Sequence, residues 1–168
     1  TLDPDAEGVL PILLGSAARA AQFLTEKDKK YQAVLRLGVR TDTQDAGGTV
    51  LQRCATVPPA EAVQAAAATM VGEILQTPPM YSALKVDGKK LYEIARRGGE
   101  VARKARPVTI EELTVLGEAD GDYVLRVRCS KGTYIRTLCD DIGRELGCGA
   151  CMSGLRRTRA GGFRVEDA

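Results

Sequence analysis

Three features of this 168-residue chain predict an α/β fold on a mixed sheet. A period-2 segment begins at Tyr31, a hairpin pattern begins at Val108, and a helical stripe begins near Ile135. Because hairpins and helices both recur along the chain, neither an all-helical nor an all-strand architecture fits.

Each element has its own signal. Ser16 reads as an N-cap for a helix to about Leu24, anchored by Phe23 and Leu24. From Tyr31, the residues Tyr31, Ala33, Leu35 and Leu37 fall on one strand face, with Gln32, Val34 and Arg36 on the other. Gly38 ends that strand, Thr41 to Gly48 reads as a polar surface loop, and Val50 to Cys54 returns as a strand. Pro58-Pro59 opens an Ala-rich helix to about Leu75, with Val63, Ala67, Met70 and Ile74 at helical spacing. Pro78-Pro79 closes it, and Met80 to Lys85 is extended. Lys89 to Arg97 is a short helix with Leu91, Ile94 and Ala95 inward and Gly98 as its stop. Val108 to Leu116 and Tyr123 to Cys129 pair around Asp120-Gly121-Asp122. Leu138, Ile142 and Leu146 mark the last helix, closed by Gly147, and a final strand lies near Gly162 to Val165.

Composition narrows the classes of function. The chain is long enough for one sizeable core, and aromatics make up only 4% with no Trp, so aliphatic residues must fill it. No apolar stretch approaches the roughly 18–20 residues that a membrane helix needs. A soluble, cytoplasmic protein is expected. The net charge is only +2, yet Lys85 to Arg106 holds eight basic residues against Asp87, Glu93 and Glu100. Such a stretch suits contact with a polyanion, or is simply a solvated helix face and loop. Cys148 and Cys151 match C-x-x-C, but there is no second pair and the chain has no His. Structural zinc wants four N or S ligands, so no metal is expected; an odd count of five cysteines favours reduced thiols. Thiol exchange through Cys148 and Cys151 is the weakest functional reading.

Two places could carry chemistry. Asp3 precedes Pro4 and an apolar run from Val9 to Leu14, which suits a carboxylate nucleophile but equally an ordinary Asp-Pro turn. Ser130 to Arg136 joins a strand to a helix whose N-terminal amides favour anions, and Arg136 there could keep a nearby carboxylate ionised. The plainer reading is a packed turn with a surface Arg. Leu155-Arg156-Arg157 with Arg159 is a second basic cluster, read as a solvated face.

Six blocks, taken together, are specific. TLDPDAEGVLPILLG, KKYQAVLRLGVRTDTQDAGG, PPMYSALKVDGKKLYEIARRG, RPVTI, CSKGTYIRTLCDDIGRELGCGA and LRRTRAGGF resemble successive blocks of the bacterial TruB-type tRNA pseudouridine synthases. The resemblance covers nearly the whole chain in order. It implies a pseudouridine synthase-like catalytic domain over residues 1–168, with a mixed, largely antiparallel sheet flanked by helices. It implies truncation at the N-terminus and a missing C-terminal RNA-binding extension. Asp3 falls on the family's catalytic aspartate. Tyr31, Tyr134, Arg136 and Leu155 fall on substrate-binding positions of the pocket. Lys85, Lys89, Lys90, Arg96, Arg97 and Arg103 fall in a segment that grips the tRNA stem-loop. The implied reaction converts a T-loop uridine of tRNA to pseudouridine, with no cofactor or metal, in a monomer without protein or membrane partners. The competing reading is a tRNA-binding or tRNA-folding module that does not depend on catalysis.

Overall fold

The computed structural model describes residues 2–168, and its centre is one twisted, largely antiparallel sheet. Its strands are β1 (Glu7–Gly8), β2 (Lys29–Leu37), β5 (Gly72–Gln76), β8 (Arg106–Ala119), β9 (Asp122–Cys129), β10 (Ala150–Ala160) and β11 (Phe163–Arg164). The order is β1-β10-β2-β9-β8-β5, with β11 folded back on β10. Only β1 runs parallel to its neighbour, so the sheet is mixed through one short pair. Two small hairpins lie outside it, β3 (Val39–Thr41) with β4 (Val50–Arg53) and β6 (Lys85–Val86) with β7 (Lys89–Lys90).

The helices are α1 (Ala21–Thr25), α2 (Ala60–Thr69), α3 (Leu91–Arg96) and α4 (Ile135–Glu145). α4 packs on β10 and β2, α2 packs on β8, and the two helices touch. Period-2 alternation decides which sheet face they cover. Ala33, Leu35 and Leu37 face Leu125, Val127, Ala150 and Met152 in one core with Val63, Ala66 and Ala67 of α2 and Ile135, Leu138 and Ile142 of α4. Arg36, Arg126 and Arg128 project from the opposite face and pair with Asp122, Glu112, and Asp28 and Glu111 respectively.

Four elements depart from the sequence expectation. Ser16 caps nothing: Gly15–Ala20 is a 3₁₀ turn that leads into the five-residue α1, and Phe23 stands 65% exposed rather than anchored. The Ala-rich helix ends at Thr69, because Gly72 adopts φ +108 and the chain turns into β5, which carries Ile74. A lysine hairpin closed by Asp87-Gly88 occupies Lys85–Lys90, where extended chain and then helix were expected. The largest miss is β10. Eleven residues of interior strand lie where only a basic cluster was read, while the short strand expected near Gly162 to Val165 is present as β11.

Gly143 sets how closely α4 approaches the sheet. A Cβ there would meet the backbone N of Ala150 at 2.2 Å and the carbonyl carbon of Gly149 at 2.5 Å. The obstacle is main chain at the start of β10, so it cannot step aside. Gly143→Ala is expected to cost about 2–3 kcal/mol by overpacking, read as a lower urea midpoint at unchanged m-value. An unchanged midpoint would mean that α4 and β10 can slide apart freely.

Candidate active site

Asp3 opens a turn in which the Ala6 N–H donates to the Asp3 carbonyl at 3.0 Å, with Pro4 at the position that favours proline. The turn feeds directly into β1, which pairs Glu7 and Gly8 with Arg156 and Arg157. Gly8 is obligatory in this contact. Its φ is +107, and a Cβ would fall 2.1 Å from the Arg157 carbonyl oxygen. The Val9 N–H donates to that same carbonyl at 3.0 Å, and Arg157 Nε donates to the Val9 carbonyl at 2.8 Å. The opening segment is thus stitched to β10 directly after the Asp3 turn.

From the far side comes α4. Arg136 Nη2 lies 3.1 Å from Asp3 Oδ1, and Nη1 lies 3.8 Å from Asp45 Oδ2. The Arg136 side chain is 8% exposed and the Asp3 side chain 33%. Partial burial pushes the Asp3 carboxyl above its ordinary range, Arg136 pulls it down, and Asp45 and Asp5 push it up again. Burial prevails over the guanidinium. Arg136 is therefore close enough to hold Asp3, but the expectation that it would keep the carboxylate ionised by lowering its pKa is overturned, because burial outweighs it.

Above this pair is a cavity of about 630 Å³, within the range of ligand pockets. Asp3, Tyr31, Tyr134 and Leu155 all line it, together with Leu2, Leu10, Pro11, Leu13, Lys29 and Arg157. Arg136 stands outside this lining and reaches the site through Asp3. Register explains the convergence: Leu155 sits opposite Ala33, and Arg157 opposite Tyr31, on the face that Tyr31 shares with the core. Burial raises the Tyr31 phenol, while a hydrogen bond with Arg157 opposes the rise. Tyr134 is the extended residue just before α4, and its ring lies 5.9 Å from the Arg136 guanidinium carbon and 5.5 Å from that of Arg106.

The six basic residues assigned to RNA lie outside that lining. Lys85, Lys89, Arg96 and Arg97 are exposed, and Lys90 donates to the Tyr92 hydroxyl at 3.2 Å. Arg103 differs from them, because it donates to the Pro78 carbonyl at 3.1 Å and to Glu100 at 3.2 Å. Its guanidinium braces this segment.

Several residues of the site went unread in the sequence. Arg157 was taken for a solvated face; it is 5% exposed, because it faces Tyr31 across the strand pair. Asp45 was placed in a surface loop. That loop is built inward: Thr43 Oγ1 and the Gly47 N–H donate to Asp45 Oδ1 at 2.8 and 3.1 Å. The Met152 N–H donates to the Gln44 carbonyl at 3.0 Å, which ties the loop to β10. Dense Thr, Asp and Gly in TDTQDAGG was the available signal, since such residues build side-chain-to-backbone turns. Cys148 and Cys151 are buried, and all five cysteines are free thiols. Burial raises the Cys151 thiol, which keeps it protonated rather than reactive.

Residues 1–135 match the model of the TruB family pseudouridylate synthase N-terminal domain, and residues 136–168 that of the tRNA pseudouridylate synthase B C-terminal domain. The chain is 52% identical over all 168 residues to tRNA pseudouridine synthase B of Aromatoleum aromaticum, covering 54% of that protein. It is 54% identical to the protein of the same name from Burkholderia mallei, covering 56% of it. The chain thus spans about half the length of these curated relatives. Among solved structures, 97% of the chain superposes on 39% of a chain in a Cbf5-Nop10-Gar1 complex, with TM-score 0.73 and 33% identity. A second match, to an H/ACA RNP bound to a substrate RNA containing 2′-deoxyuridine, has TM-score 0.68 and 29% identity, covering 97% of this chain and 38% of that one. Among the described residues no helix is long and apolar enough to cross a membrane. By sequence and by fold, this chain belongs to the TruB family of pseudouridylate synthases.

Proposed function

We propose that the protein carrying this chain converts a T-loop uridine of tRNA to pseudouridine, with Asp3 as the nucleophile. One observation carries the reading: a partly buried carboxylate, held at 3.1 Å by a buried Arg136, faces a cavity whose walls include two tyrosines and Leu155. Isomerisation of uridine is redox-neutral. The glycosidic N1–C1′ bond breaks, the uracil turns within the pocket, C5 bonds to C1′, and the C5 hydrogen leaves as a proton while N1 takes one up. A carboxylate shielded from bulk water serves as the nucleophile that allows the base to detach and turn. Tyr31 and Tyr134 offer flat faces to a base flipped out of its loop, at an unstacking cost of about a few kcal/mol. Leu155 closes the apolar side. The lysine hairpin and α3, with Lys85, Lys89, Arg96 and Arg97 exposed, hold the phosphates of the T stem-loop. Catalysis proceeds in a cytoplasmic monomer.

Tritium release from tRNA labelled at uridine C5 tests the reaction directly. Release in proportion to pseudouridine formed is the expected result. Tight tRNA binding without release would favour the binding-module reading instead.

A further inference from the structure

We infer that Gln76 is a positioning residue for the isomerisation, acting through Tyr134; this rests on the reading just given. Gln76 ends β5 at the edge of the sheet and is 1% exposed, an unusual environment for a carboxamide. Both of its polar atoms have a partner there. Nε2 donates to the Tyr134 carbonyl at 3.0 Å, and Oε1 accepts the Tyr134 N–H at 2.9 Å. One side chain therefore binds both peptide groups of one residue, 58 positions along the chain.

The location of that residue gives the contact its meaning. Tyr134 lies between the end of β9 and the first turn of α4, with φ −97 and ψ 110, and its own side chain makes no cap. Gln76 does not cap the first turn; it fixes the residue from which the helix starts. Its partner across the strands works on the same turn. Arg106 pairs with Gln76 in register, donates to the Gly132 carbonyl at 3.0 Å and lies over the Tyr134 ring. Two adjacent strand ends thus grip one turn, one by its backbone and the other by its ring. Gln76 does not line the cavity, so it acts on the base through Tyr134, whose side chain lines it.

Loss of the clamp frees Tyr134 to shift against the base, and a displacement of about 1 Å at such a group is worth roughly 10²-fold in rate. In the complete natural protein, Gln76→Leu should lower the single-turnover rate by roughly 10–100-fold and leave tRNA Kd within about threefold. The decisive comparison repeats the change in a Tyr134→Ala background, where the same substitution should cost under about threefold. Equal loss in both backgrounds, or loss confined to Kd, overturns the proposal. Gln76→Glu keeps the acceptor for the Tyr134 N–H and removes the donor, so it carries the same comparison if the leucine variant does not fold. Amide exchange at Tyr134 needs no substrate, and should accelerate in Gln76→Leu, which removes the acceptor of that N–H, relative to Ile142 in mid-helix. Unchanged exchange overturns the clamp. A wild-type protein without isomerase activity overturns the reading beneath it and the positioning role with it, while exchange still reports the clamp.

Discussion

Asp3→Asn is expected to lower pseudouridine formation by roughly 10⁴-fold or more, the scale on which loss of a nucleophile acts, while tRNA affinity stays within about twofold. The substitution preserves shape and removes only the charge and the nucleophilic oxygen. Its effect on stability runs the other way, which separates chemistry from folding. Burial raises the Asp3 carboxyl above its ordinary range, so between those two values the folded state holds the proton more firmly than the unfolded chain. Stability therefore falls as pH rises through that window, and at neutral pH the ionised carboxylate is a net cost. Asparagine removes that cost. The thermal midpoint at pH 7.5 should stay level or rise, and a fall together with lost activity would show that the damage is to the fold.

Arg136→Gln should cost roughly 10²–10³-fold at pH 7, comparable to losing a preorganised electrostatic partner. Arg136 is the one group that lowers the Asp3 carboxyl against burial, Asp45 and Asp5. Without it Asp3 ionises at still higher pH, so the acidic limb of kcat/KM must move to the alkaline side and part of the loss must return by pH 8.5. Arg136→Lys should recover less than its charge suggests. The guanidinium reaches Asp3 with one nitrogen and Asp45 with the other, and a single ammonium cannot reproduce that fork. An acidic limb that stays in place in Arg136→Gln would show that this arginine does not govern Asp3.

How legible the molecule was in its sequence depends on whether pattern and contact coincide. β2 and β9 alternate without interruption, so their faces could be read directly. β10 could not, because its register slips between Met152 and Gly154 and again between Arg157 and Arg159. Each irregularity shifts the alternation, and what remains in the letters is a run of arginines. The Ala-rich helix was over-extended for the opposite reason: Ile74 falls in helical phase with Met70 by coincidence, and only Gly72 reveals the break. The site divides in the same way. Asp3, Tyr31, Tyr134, Arg136 and Leu155 were found through resemblance of whole blocks, since their residue types in isolation say little. Gln76 and Asp45 were not, because a buried amide and a loop carboxylate take their meaning from partners 58 and 91 positions away.

The position of β10 in the sheet has a consequence for how the protein is made. Asp3 leaves the ribosome long before β10, the strand that seats its turn and that must enter between β1 and β2. Arg136 follows Asp3 by 133 residues. Nascent chains that stop short of β10 would lack the strand that seats the Asp3 turn, and their Tyr31 edge would be unpaired. Closure of the sheet and assembly of the site are then a single late, non-local event, of the kind that folds slowly.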